Sequence, residues 1–405
     1  MTRGALIDED SEIEVASGTA EAVPGRNVER VLGRIHGAEA GPTLVFVAGL
    51  HGNETAGVEA LQRVLAQLAE SDTRIRGDVV ALAGNRRALA VGRRFIERDL
   101  NRAWTTARMK ALRERASLNG DAEDREQAEL LSEIERAIDA ARGSVTLMDL
   151  HTTSGHGGVF STISDRLPNR AFGLAIPAPL VLGLEEQVDG TMTEFFDREG
   201  HVTLSFESGQ HEDPESVDRA EDAIWIALEH VGLLREPAGP AAEARRRLKK
   251  EFAGLPRVVE VRHRHPIDPK DEFAMLEGYR SFQTVRQEEL LGHDRNGPVR
   301  TPEDGRLLMP LYQEQGEDGF FLVREFKPFW LAVSERMRRW NLERFVHLLP
   351  GIARVGREQE VLYVNRLVAR WYALELLHLL GYRKEREGRR RLIVVRRERN
   401  GEGPS

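Results

Sequence analysis

A chain of 405 residues is longer than one compact core ordinarily fills, so two or three domains are expected. At 40% hydrophobic and 31% charged residues, without a single cysteine, the composition is that of a globular protein, and it excludes disulfides, thiol nucleophiles and thiolate metal sites. The net charge of −8 is uneven: residues 326–405 carry 18 Lys and Arg against 9 Asp and Glu, which leaves −17 for the remainder.

The opening stretch, MTRGALIDEDSEIEV, is acidic and lacks the basic-then-apolar order of a secretory signal. No apolar run approaches the roughly 18–20 residues of a membrane span, so no membrane partner and a cytoplasmic location are expected. TLVFVA (43–48) is an unbroken apolar run and reads as a buried strand. GLHGNETAG (49–57) follows it directly. GVEALQRVLAQLAE (57–70) repeats its apolar residues three and four apart, the period of an amphipathic helix. GDVVALAGN (77–85) is the next strand, and RRFIERDLNRAW (93–104) has neither period.

Further along, EDREQAELLSEIERAIDAA (123–141) reads as a helix and SVTLMDLH (144–151) as a strand. HVTLSFESG (201–209) is another strand, and ESVDRAEDAIWIALEHVGLL (215–234) another helix. Strands alternating with helices predict a layered α/β domain over residues 1–240, closing near REPAGPAAEARRR, which reads as a connection. Short alternating runs split by Gly, Pro and Asp predict a small all-β domain over 250–325. From Pro328 the pattern turns mainly helical, with YVNRLVARWYALELLHLLG as its clearest helix and RRRLIVVRR as one closing strand. The basic surplus of 328–405 reads as a solvated face that pairs with the acidic body. A surface for nucleic acid or an acidic partner is the alternative, and nucleic acid is the less expected of the two.

Chemistry gathers where apolar strands stop. His51 and Glu54, three apart at a strand end, can face one point as the chain enters a helix, and Gly52 and Gly57 relieve crowding there. His151 ends a second apolar strand. Asp149, two residues earlier, shares its face and is placed to orient it. Each histidine alone could be an ordinary turn or capping residue. Together, His51, Glu54 and His151 make the donor set of a catalytic Zn2+ site, in which three protein ligands leave a fourth position open. A zinc hydrolase also needs a base and a group to steady an oxyanion. Glu207 is a charge at the end of VTLSF, where it must be solvated, paired or functional. Arg94, Arg98, Asn101 and Arg102 lie in the Arg-rich segment, whose plain reading is surface solvation; arginine also suits the two-pronged holding of a carboxylate.

GLHGNETAG, GNRRAL, RRFIERDLNRAW, DLHTTSG and FESG, in this order, resemble the succinylglutamate desuccinylase/aspartoacylase family, within the wider zinc carboxypeptidase-like fold, over roughly residues 30–325. The resemblance implies a three-layer α/β/α domain with a mixed, mostly parallel sheet, followed by a small all-β domain that closes over the cleft. It implies His51, Glu54 and His151 as zinc ligands, Glu207 as general acid/base and Arg94 as the group polarising the scissile carbonyl. Asn101 and Arg102 match the pair that binds the substrate carboxylate. The implied reaction is hydrolysis of an N-acyl-amino acid to a carboxylate and a free amino acid. Two departures point away from acetylaspartate: Arg198 is out of register with a second carboxylate-binding arginine, and Phe320 and Phe321 stand where a tyrosine hydroxyl can enter the cleft. A zinc carboxypeptidase acting on peptides and a non-enzymatic module using the basic tail are the alternative functions. Residues beyond about 328 match nothing in the family, and a homo-oligomer contact is one role open to them.

Overall fold

The computed structural model describes residues 12–15, 28–71, 73–114, 120–234, 239–340, 345, 348, 352–354, 361–365, 382–387 and 391–396. The first nine strands are β1 (Glu12–Val15), β2 (Val31–His36), β3 (Glu39–Ala48), β4 (Arg76–Ala83), β5 (Val145–Thr153), β6 (Val159–Thr162), β7 (Leu180–Leu182), β8 (Val202–Gln210) and β9 (Val258–Pro266). Short strands follow: β10 (Ala274–Met275), β11 (Thr284–Val285), β12 (Leu290–Asp294), β13 (Gly297–Arg300), β14 (Gly305–Leu308) and β15 (Asp318–Glu325). Twelve of them form one mixed sheet, in the order β1-β2-β4-β3-β5-β8-β6-β7-β9-β15-β14-β11.

At its centre β4, β3, β5 and β8 are mutually parallel. Parallel strands need crossovers, and here the crossovers carry helices that cover both faces. Strand β3 shows the consequence. Leu44, Phe46 and Ala48 belong to one core cluster, while Val45 and Val47 belong to another on the opposite face. Side chains alternate along a strand, so a strand buried on both sides must be apolar at every position. Helices α1 (Ala56–Glu70), α5 (Leu167–Ala175), α7 (Glu215–His230) and α8 (Gly239–Glu251) contribute to the first cluster. The second takes residues from α3 (Thr106–Arg113), α4 (Ala122–Asp139) and α6 (Met192–Arg198). Helix α2 (Arg86–Val91) adds Leu89 to the first cluster. Phe46 and Phe206 are fully buried, and burial of each side chain contributes roughly 1.5–3 kcal/mol.

The predicted strands and helices of the α/β part are present, with ends displaced by a few residues. The stretch REPAGPAAEARRR is not a plain connection, because α8 begins at Gly239 within it. Pro240 marks a helix start rather than a break, since the first turn has no need of a proline's missing N–H. Ala241, Ala244 and Leu248 then bury one face, and α8 packs against α7. The β-rich stretch is joined to the main sheet: β9 pairs parallel with β7 and antiparallel with β15.

Among its described residues the tail, expected to be mainly helical, holds strands as well as a helix. Helix α9 (Pro328–Arg339) is followed by β16 (Ile352–Arg354), β17 (Val361–Asn365), β18 (Tyr382–Glu387) and β19 (Arg391–Arg396), which form a sheet of their own. Strand β17 takes the first residues of the expected helix YVNRLVARWYALELLHLLG, whose remainder lies outside the described residues. VLYVN is rich in β-branched and aromatic side chains, which favour a pleated strand over a helix. The expected strand in RRRLIVVRR is β19. Arg338 of α9 is buried against the body and donates to the Asp165 carboxylate at 2.9 Å. No helix among the described residues is long and apolar enough to cross a membrane.

Candidate active site

The chain leaves β3 through α1 to β4 on one side, then returns to β5 on the other side of β3. Such a reversal opens a crevice at the carboxyl ends of the strands. His51 and Glu54 lie in the turn after β3, His151 near the end of β5, and Glu207 opposite His151 on the neighbouring parallel strand β8. All four are buried. The turn after β3 requires glycine at position 52: a Cβ there would meet the Ala88 carbonyl carbon at 2.0 Å. Gly52 N–H also donates to the Arg94 carbonyl at 3.2 Å, which ties the histidine turn to the Arg-rich segment.

The two imidazoles are held in the same way. His51 Nδ1 lies 2.8 Å from Glu54 Oε1, and His151 Nδ1 lies 2.8 Å from Glu54 Oε2. Their other nitrogens face separate carboxylates: His51 Nε2 is 3.0 Å from Asp99 and His151 Nε2 is 2.7 Å from Asp149. A carboxylate behind each ring fixes its tautomer and turns the opposite nitrogen inward, the arrangement usual for metal-ligating histidines. His51, Glu54 and His151 offer donor atoms that all lie within 4.8 Å of one another, the spacing of groups able to hold a metal ion. Asp149 is the partner expected from its place two residues before His151.

The electrostatics favour positive charge at this point. Burial opposes ionisation of Glu54, but His51 and His151 outweigh it and hold its pKa well below the ordinary value. Burial likewise disfavours charged His151, yet Asp149 and Glu54 lift its pKa well above the ordinary value. Glu207 is pushed up to about 8, chiefly by burial and further by Glu54 and Asp149, against the pull of His151 and Arg94. Its Oε2 has no hydrogen-bond partner among the described residues.

Segment 93–104 is irregular, with one 3-10 turn at Leu100–Arg102. Asp99 organises it. One oxygen accepts from Asn101 N–H and faces His51, and the other accepts from Arg94 Nε and Nη2 at 3.2 and 2.8 Å. Arg94 Nη1 stands 3.7 Å from Glu54. Asp99 is absent from the sequence-based candidates. Its only signal is that it is an acid set between Arg98 and Asn101, and no periodicity singles it out. Asn101 accepts from Met192 N–H, and its amide nitrogen lies 3.3 Å from His151 Nε2. Arg102 donates to the Asn101 carbonyl and lies 3.8–3.9 Å from Asp318 and Glu317. Its Nε has no hydrogen-bond partner among the described residues.

Arg94, Asn101, Arg102 and Glu207 all line the cleft that holds the His-Glu-His group. Arg98 does not: it pairs with Asp121 and Asp124 at the start of α4. Arg198 is exposed, pairs with Glu194 and is likewise not part of the lining. The opposite wall comes from the β-rich half through Met309, Leu311, Gln313, Gly316, Glu317, Asp318 and Phe321.

Comparison with known proteins agrees with this arrangement. A profile for the succinylglutamate desuccinylase/aspartoacylase catalytic domain matches residues 40–223. A succinylglutamate desuccinylase from Photorhabdus laumondii is 45% identical over 76 residues, 19% of this chain; the match spans only 23% of that relative's length. Among solved structures, a succinylglutamate desuccinylase from Vibrio cholerae has a TM-score of 0.57 at 16% identity, covering 81% of this chain and 93% of that one. A succinylglutamate desuccinylase/aspartoacylase from Rhodobacter sphaeroides has a TM-score of 0.54 at 21% identity, covering 75% and 93%. These structures share the fold. Residues 40–223 thus match the catalytic domain of the succinylglutamate desuccinylase/aspartoacylase family, and the chain shares the fold of the solved structures that carry that family's name.

Proposed function

We propose that the protein is a zinc-dependent hydrolase that cleaves the amide bond of an N-acyl-amino acid, releasing a carboxylate and a free amino acid. The observation that carries this reading is the convergence of two inward-turned Nδ1 atoms on the Glu54 carboxylate, with Glu207 beside them and its Oε2 unpaired among the described residues. Two imidazoles and a carboxylate suit zinc, and the carboxylates behind both rings complete the fit. Zinc held by His51, Glu54 and His151 supplies Lewis acidity, which acidifies water and draws charge onto the carbonyl oxygen.

The chain's own groups do the rest. Glu207, on the strand next to His151, takes the proton of the attacking water and returns it to the leaving amine. Arg94 is held in place by Asp99 and steadies the negative charge that develops on the carbonyl oxygen. Arg102 lines the cleft and receives the free carboxylate of the substrate, with Asn101 beside it. The names of relatives that share the domain, succinylglutamate desuccinylases, support an acyl-amino acid over a peptide.

The test is a panel of acetyl-, succinyl- and other acyl-amino acids, their carboxamides and longer peptides, offered to the zinc-loaded protein. Acyl-amino acids should be hydrolysed. Masking the free carboxylate as a carboxamide should lower kcat/KM at least about tenfold, the scale of one charge-assisted contact. Peptides cleaved as fast as acyl-amino acids would replace this reading with a carboxypeptidase.

A further inference from the structure

The loop from β14 to β15 touches every loop that carries the site. Tyr312 N–H donates to Ser154 Oγ at 3.1 Å, just beyond His151. Gly155 packs so closely on Pro310 that an added Cβ would lie 2.8 Å from its carbonyl oxygen. Gln313 Oε1 accepts from Asn53 Nδ2 at 3.1 Å, next to Glu54. The same oxygen lies 3.1 Å from His211 Nε2, on the loop that follows Glu207. His211 Nδ1 is in turn 2.7 Å from Thr152 Oγ1, and the backbone N–H of Thr152 donates to Glu54 Oε2 at 3.0 Å.

The donors and acceptors form one consistent set. A carboxamide oxygen only accepts, so Asn53 and the Nε2–H of His211 both donate to Gln313. With its proton on Nε2, His211 presents Nδ1 as an acceptor to the Thr152 hydroxyl. Gln313 thus reaches the Glu54 region from two sides, through Asn53 and through His211 and Thr152. It also lines the cleft.

We infer that Gln313 is a positioning residue for the metal site: its one acceptor oxygen clamps the loops after β3 and β8, and by that clamp the β-rich half sets the placement of Glu54. The inference rests on the proposed reading in taking the ion as zinc.

The test uses the full chain as wild type, Gln313→Ala and Gln313→Glu, stripped of metal and titrated with zinc against a chromophoric chelator. Glutamate keeps an acceptor oxygen for both donors and alanine removes it. Zinc affinity should fall about tenfold in Gln313→Ala, the low end for partners lying behind metal ligands, and stay within about threefold of wild type in Gln313→Glu. In the alanine variant kcat should fall while KM changes little. Wild-type zinc affinity in Gln313→Ala overturns the inference, even where its melting temperature drops, because that pattern is a purely structural role. Equal weakening in both variants also overturns it, by assigning the effect to packing rather than to the acceptor. The titration needs no substrate, so it is independent of the reaction. Protein that binds zinc with this pattern but hydrolyses no acyl-amino acid supports the clamp and removes the proposed reaction.

Discussion

The ends of β3, β5 and β8 and the Arg-rich segment 93–104 both supply the cleft, but different physics holds them. On the strands, each side chain is aimed by the pleat and placed by register: His151 is opposite Glu207 because β5 and β8 run parallel. The segment has no such frame. It is held by polar bonds, among them the backbone N–H groups of Ile96 and Glu97 donating to buried Glu123 at 2.7 and 3.1 Å, and the Asp99 pairs with Arg94 and His51. His151 and Glu207 thus lie on the strand frame and His51 and Glu54 in the turn that β3 leads into, while Arg94, Asn101 and Arg102 lie on a segment tied down by hydrogen bonds.

The largest expected effect comes from breaking the frame. His151→Ala removes one of three ligands, so stoichiometric zinc should be lost and activity with it, as elemental analysis of the purified variant will read. Full zinc occupancy in that variant would show that His151 is not a ligand. A smaller effect should follow from the carboxylates behind the rings. Asp149→Asn and Asp99→Asn keep shape but weaken the hold on His151 and His51, and each should reduce zinc affinity by about 10–100-fold. Chelator competition on the two variants sharpens the contrast between regions. Asp149→Asn, on the strand, should lose affinity with little further change in zinc-saturated turnover. Asp99→Asn should also lower kcat at saturating zinc, because Asp99 holds Arg94 as well. Unchanged kcat in Asp99→Asn would separate Arg94 from the reaction.

How much was legible in the sequence follows the same division. Apolar runs exposed β3, β5 and β8, so the residues at their ends, His51, Glu54, His151 and Glu207, stood out as charges where burial was ending. Asp149 was legible because strand side chains repeat every second residue. Asp99 was not, since one acid among several arginines carries no period. Gln313 and His211 were equally hidden: they meet across 102 sequence positions, through a loop whose path no local pattern encodes. The proline-containing stretch REPAGPAAEARRR reads as a connection, yet α8 begins within it, because the first turn of a helix tolerates proline. In the tail, a helical period in residues 363–381 competed with the strand preference of VLYVN, and the strand prevailed over the part described.

The claim on which the rest depends is that one set of residues holds the ion and another moves the proton. Glu207→Gln separates the two in a single sample, because the amide keeps the shape of the side chain but cannot take a proton. Zinc content and kcat are measured together on that variant, with the best substrate of the panel. Zinc should stay at the wild-type level while kcat falls by at least about 100-fold, the usual scale for a positioned acid/base. Near wild-type turnover with zinc in place would contradict the assignment of Glu207 and the mechanism built on it.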